Sequence, residues 1–246
     1  MLDPDIAAFA ADQDAIFDQA FSARPIKEQR ALYDEFWRRY HAPRPAGVEA
    51  TDFDVLGLSG HIPVRLYVPA RASSPAPVIV YCHGGSWMFG GLDSHDLPCA
   101  RLAHYSEAAI LAVDYRLAPE HKYPAALQDA GDALNWVVEQ GQERNLDPRR
   151  VAVAGDSAGG ALSAGMALMA RDFSRLPPAV ICAAELDVVL PDALEYAAAL
   201  DAAGVPQHLI VAHGLPHTFL RALHFCGAAD RAFVDFARAM AELLHG

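Results

Sequence analysis

A serine flanked by glycines, Gly155-Asp156-Ser157-Ala158-Gly159, directly follows a short apolar run, Val151 to Ala154, in a chain of 246 residues. The pattern Gly-x-Ser-x-Gly arises by chance in roughly one chain of this length in twelve, so by itself it says little. Its position carries more weight. At a sharp turn between a buried strand and a helix, the serine backbone is strained and only small neighbours fit, so the strand becomes a rigid post with a hydroxyl on top. A serine at its ordinary pKa is a poor nucleophile and needs a base, and the base needs an acid to orient it. The chemistry to look for is attack on an activated carbonyl through an acyl-serine.

Each partner in that chemistry has candidates. The backbone N–H of Ala158 would open a helix, where free donors and the dipole favour a developing negative charge. Gly84 and Gly85, in the run "HGGSW" from His83 to Trp87, lack a Cβ, and their amides can approach a ligand closely. Together the three make a candidate oxyanion hole. Among eleven histidines, His217 lies in the loop after the last apolar run, "HLIVAHGLP", and His213 ends that run. For the acid, Asp187 directly follows the run "AVICAAEL"; Glu185 falls within it, and Asp192 looks like the start of a helix. On residue type and position alone, these remain alternatives.

The elements that must hold these residues follow from periodicity. From Val78 onward, short apolar runs such as "VIVYC", "AAILAVDY" and "VAVAG" alternate with helical patterns such as "PAALQDAGDALNWVVEQ". That alternation predicts an α/β fold with a mostly parallel sheet and helices on both faces. In such sheets ligands sit outside the carboxyl ends of the strands, which is where "HGGSW", Ser157, Asp187 and His217 fall. Upstream, "ATDFDVLGL" and "IPVRLYVP", joined by Ser59 and Gly60, predict a hairpin. Residues 6–40 read as helix split at Pro25, and Leu32, Tyr33, Phe36, Trp37 and Tyr40 form one apolar stripe. Such a stripe is either a helix packed on a core or a lid over a pocket.

Composition narrows the partners. A formal net charge of −12 gives a surface that repels phosphate backbones and anionic lipid, which argues against nucleic acid. Cys82, Cys99, Cys182 and Cys226 are far apart with no C-x-x-C pair, so they read as reduced thiols, and neither a metal site nor an organic cofactor is expected. No basic n-region precedes an apolar segment at the N-terminus, and nowhere do eighteen apolar residues run together. The expectation is therefore no membrane span and a cytoplasmic location. A homodimer is left open.

The blocks "HGGSW", "DYRLAPEHKYPAAL", "GDSAGG", "LPPAVICAAELD" and "GLPHTF", in that order, resemble the hormone-sensitive-lipase-like branch of the α/β-hydrolases, the family IV bacterial esterases. The resemblance runs from about Phe53 to the end. It implies Ser157 as nucleophile, His217 as base and Asp187 as acid, and the chain order Ser, Asp, His fits. It implies a serine carboxylesterase acting on small uncharged esters with short acyl chains. An amidase or formamidase of the same fold and a hydrolase-like binding protein are the alternatives. Residues 1–45 correspond to a helical cap and 46–246 to the hydrolase core, with Phe36, Trp37 and Trp87 placed at the substrate pocket.

Two features depart from the family. The acid reads Asp187-Val188-Val189 where Asp-Pro-Leu is usual. Between "GMALMARD" and "FSRLPPAV", relatives normally carry several tens more residues, whereas here Ser157 and Asp187 are 30 positions apart. One helix and one strand fit in that span, so the sheet is expected to be one strand short and to close up across the gap.

Overall fold

The computed structural model describes residues 2–168 and 176–246. In chain order the elements are α1 (Pro4–Ile16), α2 (Ile26–Arg39), β1 (Val48–Gly57), β2 (Gly60–Pro69), β3 (Ala76–Cys82), α3 (Asp96–Ser106), β4 (Ala109–Val113), α4 (Ala125–Gln140), β5 (Leu146–Gly155), α5 (Ala158–Leu168), β6 (Ala179–Leu186), α6 (Leu190–Ala202), β7 (Gln207–Pro216) and α7 (Gly227–His245). They fall into two compact units. One comprises Pro43–Arg171 with Ala241–Gly246, and the other Met1–Ala42 with Asp172–Met240. A break near residue 45 was expected. The segment before it clusters with the later half of the chain.

The first unit is built on a five-stranded sheet in the order β1-β2-β4-β3-β5. β1 and β2 form the hairpin, with Gly57 opposite Gly60. β2 runs antiparallel to β4, while β3 lies parallel to both β4 and β5. Every residue of β3 and β4 is buried, as an apolar strand needs when both sheet faces are covered. Crossovers between parallel neighbours require helices. α4 supplies Ala130, Ala133 and Val137 to the core, and α5 supplies Leu162 and Met166.

In the second unit β6 pairs in parallel with β7, and α6 is the connection between them. Among the described residues, β5 has a ladder only with β3 and β6 only with β7, so the strands make two sheets. The residues at which the shortening was expected, 169–175, lie outside the described ones. Among the described residues, no helix is long and apolar enough to cross a membrane.

One buried ion cluster braces the first unit. Asp96, at the start of α3, accepts from Arg44 Nε and Nη2 at 2.8 and 2.7 Å, from Arg65 Nη1 at 3.0 Å and from the Tyr67 hydroxyl at 2.9 Å. Burial pushes its carboxyl up, but the hydrogen bonds from Arg44 and Tyr67 and the arginine charges outweigh that and hold it below its ordinary value. A carboxyl depressed in the folded state contributes stability above its unfolded pKa of about 3.9, and loses it as pH falls further. Asp96→Ala leaves Arg65 nearly buried without its inner partner. It should lower the unfolding free energy by about 3 kcal/mol at pH 7, read by urea denaturation, with the gap to the unmutated chain closing below about pH 4.

Candidate active site

Ser157 sits between the end of β5 and the start of α5 with φ of 52°, a left-handed conformation that an ordinary side chain seldom adopts. The reason lies in the neighbouring strand. Cys82, the last residue of β3, is in register with Gly155. A Cβ on Gly155 or on Gly159 would fall on the Cys82 carbonyl oxygen. The turn is therefore pressed against the end of β3 at two glycines, and the residue between them takes up the bend. The turn closes with Gly159 N–H donating to the Asp156 carbonyl at 2.8 Å and Ala161 N–H to that of Ser157 at 3.1 Å. Ala158, first residue of α5, has an N–H with no acceptor among the described residues. It points where the helix dipole favours negative charge.

Beside the turn, β3 runs straight into the "HGG" loop. The His83 ring is buried, stacked on Tyr115 at 4.2 Å between centroids, and Tyr115 donates its hydroxyl to the His83 carbonyl at 2.6 Å. Burial, with repulsion from His95, pushes His83 down to about 3, so the imidazole is neutral. Its Nδ1 lies 2.9 Å from the Gly84 carbonyl, which can only accept, so Nδ1 carries the hydrogen. The three proposed oxyanion donors do not behave alike. Gly84 N–H is already donated to Asp156 Oδ1 at 2.9 Å, whereas Gly85 N–H has no acceptor among the described residues. Gly85 must be glycine, since its φ is 124° and a Cβ would meet the Phe89 carbonyl. Trp87 follows at φ 57° and is 43% exposed.

In the second unit, Asp187 and His217 are the residues immediately after β6 and β7. His217 Nδ1 lies 2.6 Å from Asp187 Oδ2. Facing a carboxylate, Nδ1 must carry the hydrogen, which leaves the lone pair on Nε2. Asp187 Oδ1 accepts from Val189 N–H at 3.1 Å, and the carboxylate is 8% exposed while the imidazole is 41% exposed. The strand register decides this pairing. Along most of β6 and β7 the partners are offset by 28, as in Ala184 with Ala212, but Leu186 pairs with Pro216, an offset of 30. Only the larger offset sets residue 187 against residue 217. The two extra residues are taken up around Gly214, whose φ is 72° and whose N–H is captured by Glu185 Oε2 at 2.7 Å. Glu185 also lies 3.3 Å from His213. The alternative acid and the alternative base are thus paired with each other, and Glu185 holds the bulge.

The N-terminal helices bear on the same loop. Asp3 N–H donates to the Gly214 carbonyl at 2.9 Å, and the Thr218 hydroxyl donates to Gln13 at 2.5 Å. Arg221 enters a ring of aromatic faces, 4.5 Å from the centroid of Trp37, 4.9 Å from Tyr33 and 5.2 Å from Phe36. Such contacts attract a guanidinium to the faces of the rings. Phe36 is fully buried, within 5.4 Å of Phe9 and of Phe17 and 5.1 Å of Tyr40. The stripe on α2 is packing surface. Phe36 packs on Phe9 of α1, and Trp37 on Arg221. Of the three pocket candidates, Phe36 and Trp37 are buried and Trp87 is exposed.

Sequence patterns did not point to Arg221, Asp156, Tyr81 or His95. Asp156 stands at a variable position of the serine motif, and nothing in the linear order joins it to Tyr81 or Gly84. One group of metal-ligand types converges among the described residues, Asp3, Asp5 and Cys226, and there Cys226 Sγ donates to Asp3 at 3.6 Å.

Residues 79–173 and 167–221 match the family described as the alpha/beta hydrolase fold. The chain is 55% identical over 118 residues to carboxylesterase NlhH of Mycobacterium tuberculosis, covering 47% of this chain and 36% of that protein. It is 36% identical over 174 residues to an ethyl acetate hydrolase of Pseudomonas putida, covering 66% and 53%. The chain thus spans about a third to a half of these relatives' own length. Among solved structures, an esterase from Pyrobaculum calidifontis superposes with a TM-score of 0.91 at 27% identity, over 98% of both chains.

Phe36 separates packing from pocket. Phe36→Ala should lower unfolding stability by about 3–5 kcal/mol, the range for truncating a buried aromatic ring, measured by thermal or urea unfolding. A loss under 1 kcal/mol would return the ring to the pocket.

Proposed function

Because the chain belongs to the alpha/beta hydrolase family, we propose that it is a serine carboxylesterase that hydrolyses small, uncharged esters with short acyl chains through an acyl-serine intermediate. The observation that carries this reading is the backbone of Ser157, held at a positive φ with the acceptor-free amides of Gly85 and Ala158 in the same unit. A turn under that strain persists only where the surrounding structure over-determines it, and such residues concentrate at active sites. The names of the relatives, a carboxylesterase and an ethyl acetate hydrolase, support an ester with a small acyl group.

In this reading Ser157 Oγ attacks the ester carbonyl as its proton passes to His217 Nε2, and the carbonyl oxygen becomes an oxyanion that accepts from Gly85 and Ala158. Asp187, hydrogen-bonded to Nδ1, holds the tautomer and stabilises the imidazolium. The C–O bond to the alcohol then breaks, and His217 returns the proton to the leaving oxygen. Water, deprotonated by the same imidazole, attacks the acyl-serine and releases the acid. Gly84 takes no part in the oxyanion hole, because its amide is engaged by Asp156. We also infer that the chain is shortened after α5 relative to the family. The break in the family match at residues 167–173, where its two matched stretches overlap, supports this.

A fluorophosphonate should label Ser157 alone among the serines, because only an activated hydroxyl attacks such a reagent quickly. Labelling should vanish in Ser157→Ala and fall steeply in His217→Ala. Undiminished labelling without His217 would remove the base from the mechanism. In p-nitrophenyl ester hydrolysis, Asp187→Asn should lower kcat by up to about 10⁴-fold with KM nearly unchanged, since the interaction matters chiefly in the transition state. Were Glu185→Gln crippled and Asp187→Asn near normal, the acid would be Glu185.

A further inference from the structure

We infer that Asp156 is a positioning residue for the oxyanion hole: its carboxylate ties the Gly84 amide to the serine turn and thereby aims the next amide, that of Gly85, at the reacting carbonyl. The inference rests on the esterase reading and deepens it. It also gives the variable position of the serine motif a role of its own.

The Asp156 side chain leaves the turn on the side facing the glycine loop. Oδ1 accepts from Gly84 N–H at 2.9 Å and from the Tyr81 hydroxyl at 2.7 Å, and Oδ2 faces His95 Nε2 at 3.4 Å. Tyr81 lies on β3, one residue before Cys82, whose carbonyl oxygen is the atom against which Gly155 and Gly159 are pressed. One carboxylate therefore joins the strand, the serine turn and the glycine loop. The fit around it is tight, since a Cβ on Gly84 would fall on Asp156 Oδ2. Glycine is needed at residue 84 so that the carboxylate can reach its amide, and at residue 85 for the backbone conformation.

The far side is braced as well. His95 Nδ1 lies 2.9 Å from Ser94 Oγ, and Ser94 Oγ accepts from Gly91 N–H at 2.9 Å. Burial pushes the Asp156 carboxyl up, but the charge of His95 and the hydrogen bonds from His95, Tyr81 and Gly84 outweigh it, so the group is held ionised well below its usual range. An ionised acceptor makes the stronger hydrogen bond to an amide. The Gly85 N–H shares its peptide plane with the Gly84 carbonyl, which His83 Nδ1 holds at 2.9 Å, so once Asp156 fixes the Gly84 N–H both planes flanking Gly84 are anchored and the Gly85 N–H has a defined direction. In an oxyanion hole, direction is what lowers the barrier, because the donors must already point where charge develops.

The test is steady-state hydrolysis of p-nitrophenyl acetate and butyrate by the full chain, with Ser157→Ala as the control for the reading itself. Asp156→Ala should lower kcat about 10²-fold, comparable to losing one oxyanion donor, with KM within about 3-fold. Asp156→Asn keeps an oxygen for Gly84 and Tyr81 and should recover kcat to within about 10-fold of the unmutated chain. Tyr81→Phe removes one donor but leaves the Gly84 contact, and its loss should be smaller than that of Asp156→Ala. A purely structural role would lower the amount of folded protein without this split between kcat and KM and without rescue by Asn. A folded Asp156→Ala with kcat within about 3-fold, or with its loss entirely in KM, overturns the inference while Ser157-dependent turnover leaves the esterase reading standing. Where Asp156→Ala does not fold, Asp156→Ser takes its place, since its shorter side chain draws back from the Gly84 amide, and a kcat within about 3-fold of the unmutated chain overturns the inference. If the unmutated chain shows no Ser157-dependent hydrolysis, the reading fails and the inference falls with it.

Discussion

The close approach of the serine turn to the end of β3 is the constraint on which the first unit's chemistry depends. Parallel strands at their usual spacing of about 4.8 Å leave little room above their carboxyl ends for a chain that reverses into a helix. Gly155 and Gly159 make that room against the Cys82 carbonyl, and Ser157 takes the positive φ between them. The same carbonyl belongs to the residue just before the "HGG" loop. Turn and loop therefore share one anchor, and the buried strands β3 and β4 keep that anchor still. An alanine at residue 159 would strike backbone, which cannot give way as a flexible side chain can. A change there should move the hydroxyl and the glycine loop together.

Much of this was legible in the sequence because the linear pattern itself carries the geometry. Small residues on either side of a serine after an apolar run describe a tight turn. Residues placed just beyond successive runs describe the carboxyl edge of a sheet. Asp187 and His217 follow that rule, and parallel neighbours bring the ends of β6 and β7 side by side. The step from an offset of 28 to one of 30 was not legible, although the pair depends on it. Spacing counts residues along one strand, whereas register is settled between two strands, here by where Gly214 bends and what captures its amide. Glu185 looked like a rival acid because it has the right chemical type one side chain away from the right place. Its hydrogen bond to Gly214 makes it the support of the bulge.

The N-terminal helices show a different limit. Periodicity identified the apolar face of α2, but a stripe does not say what will cover it. Phe36 and Trp37 read equally well as lid and as core. The structure sets α1 against one side of the stripe and Arg221 against the other, a cation four residues beyond His217 that no spacing rule announces. The N-terminal segment clusters with 172–240 for the same reason: its contacts fall at Gly214, Thr218 and Arg221, on both flanks of the histidine. The N-terminal helices and the histidine loop are one packed object.

Charge in the first unit is arranged by the same economy of neighbours. His83 and Asp156 are both crowded away from water beside the glycine loop, and burial drives each toward its neutral form. His83 yields, since burial and repulsion from the neighbouring His95 outweigh the hydrogen bond to the Gly84 carbonyl, which favours the charged ring. Asp156 does not yield, because every group that reaches it is a donor. The result is a neutral imidazole packed under the loop and a fixed negative charge tied to its first amide. A neutral ring there adds no positive field that would attract a competing anion to the loop. The fixed carboxylate holds the Gly84 N–H. Burial alone would have made the two groups alike, and their different hydrogen-bond partners set them apart.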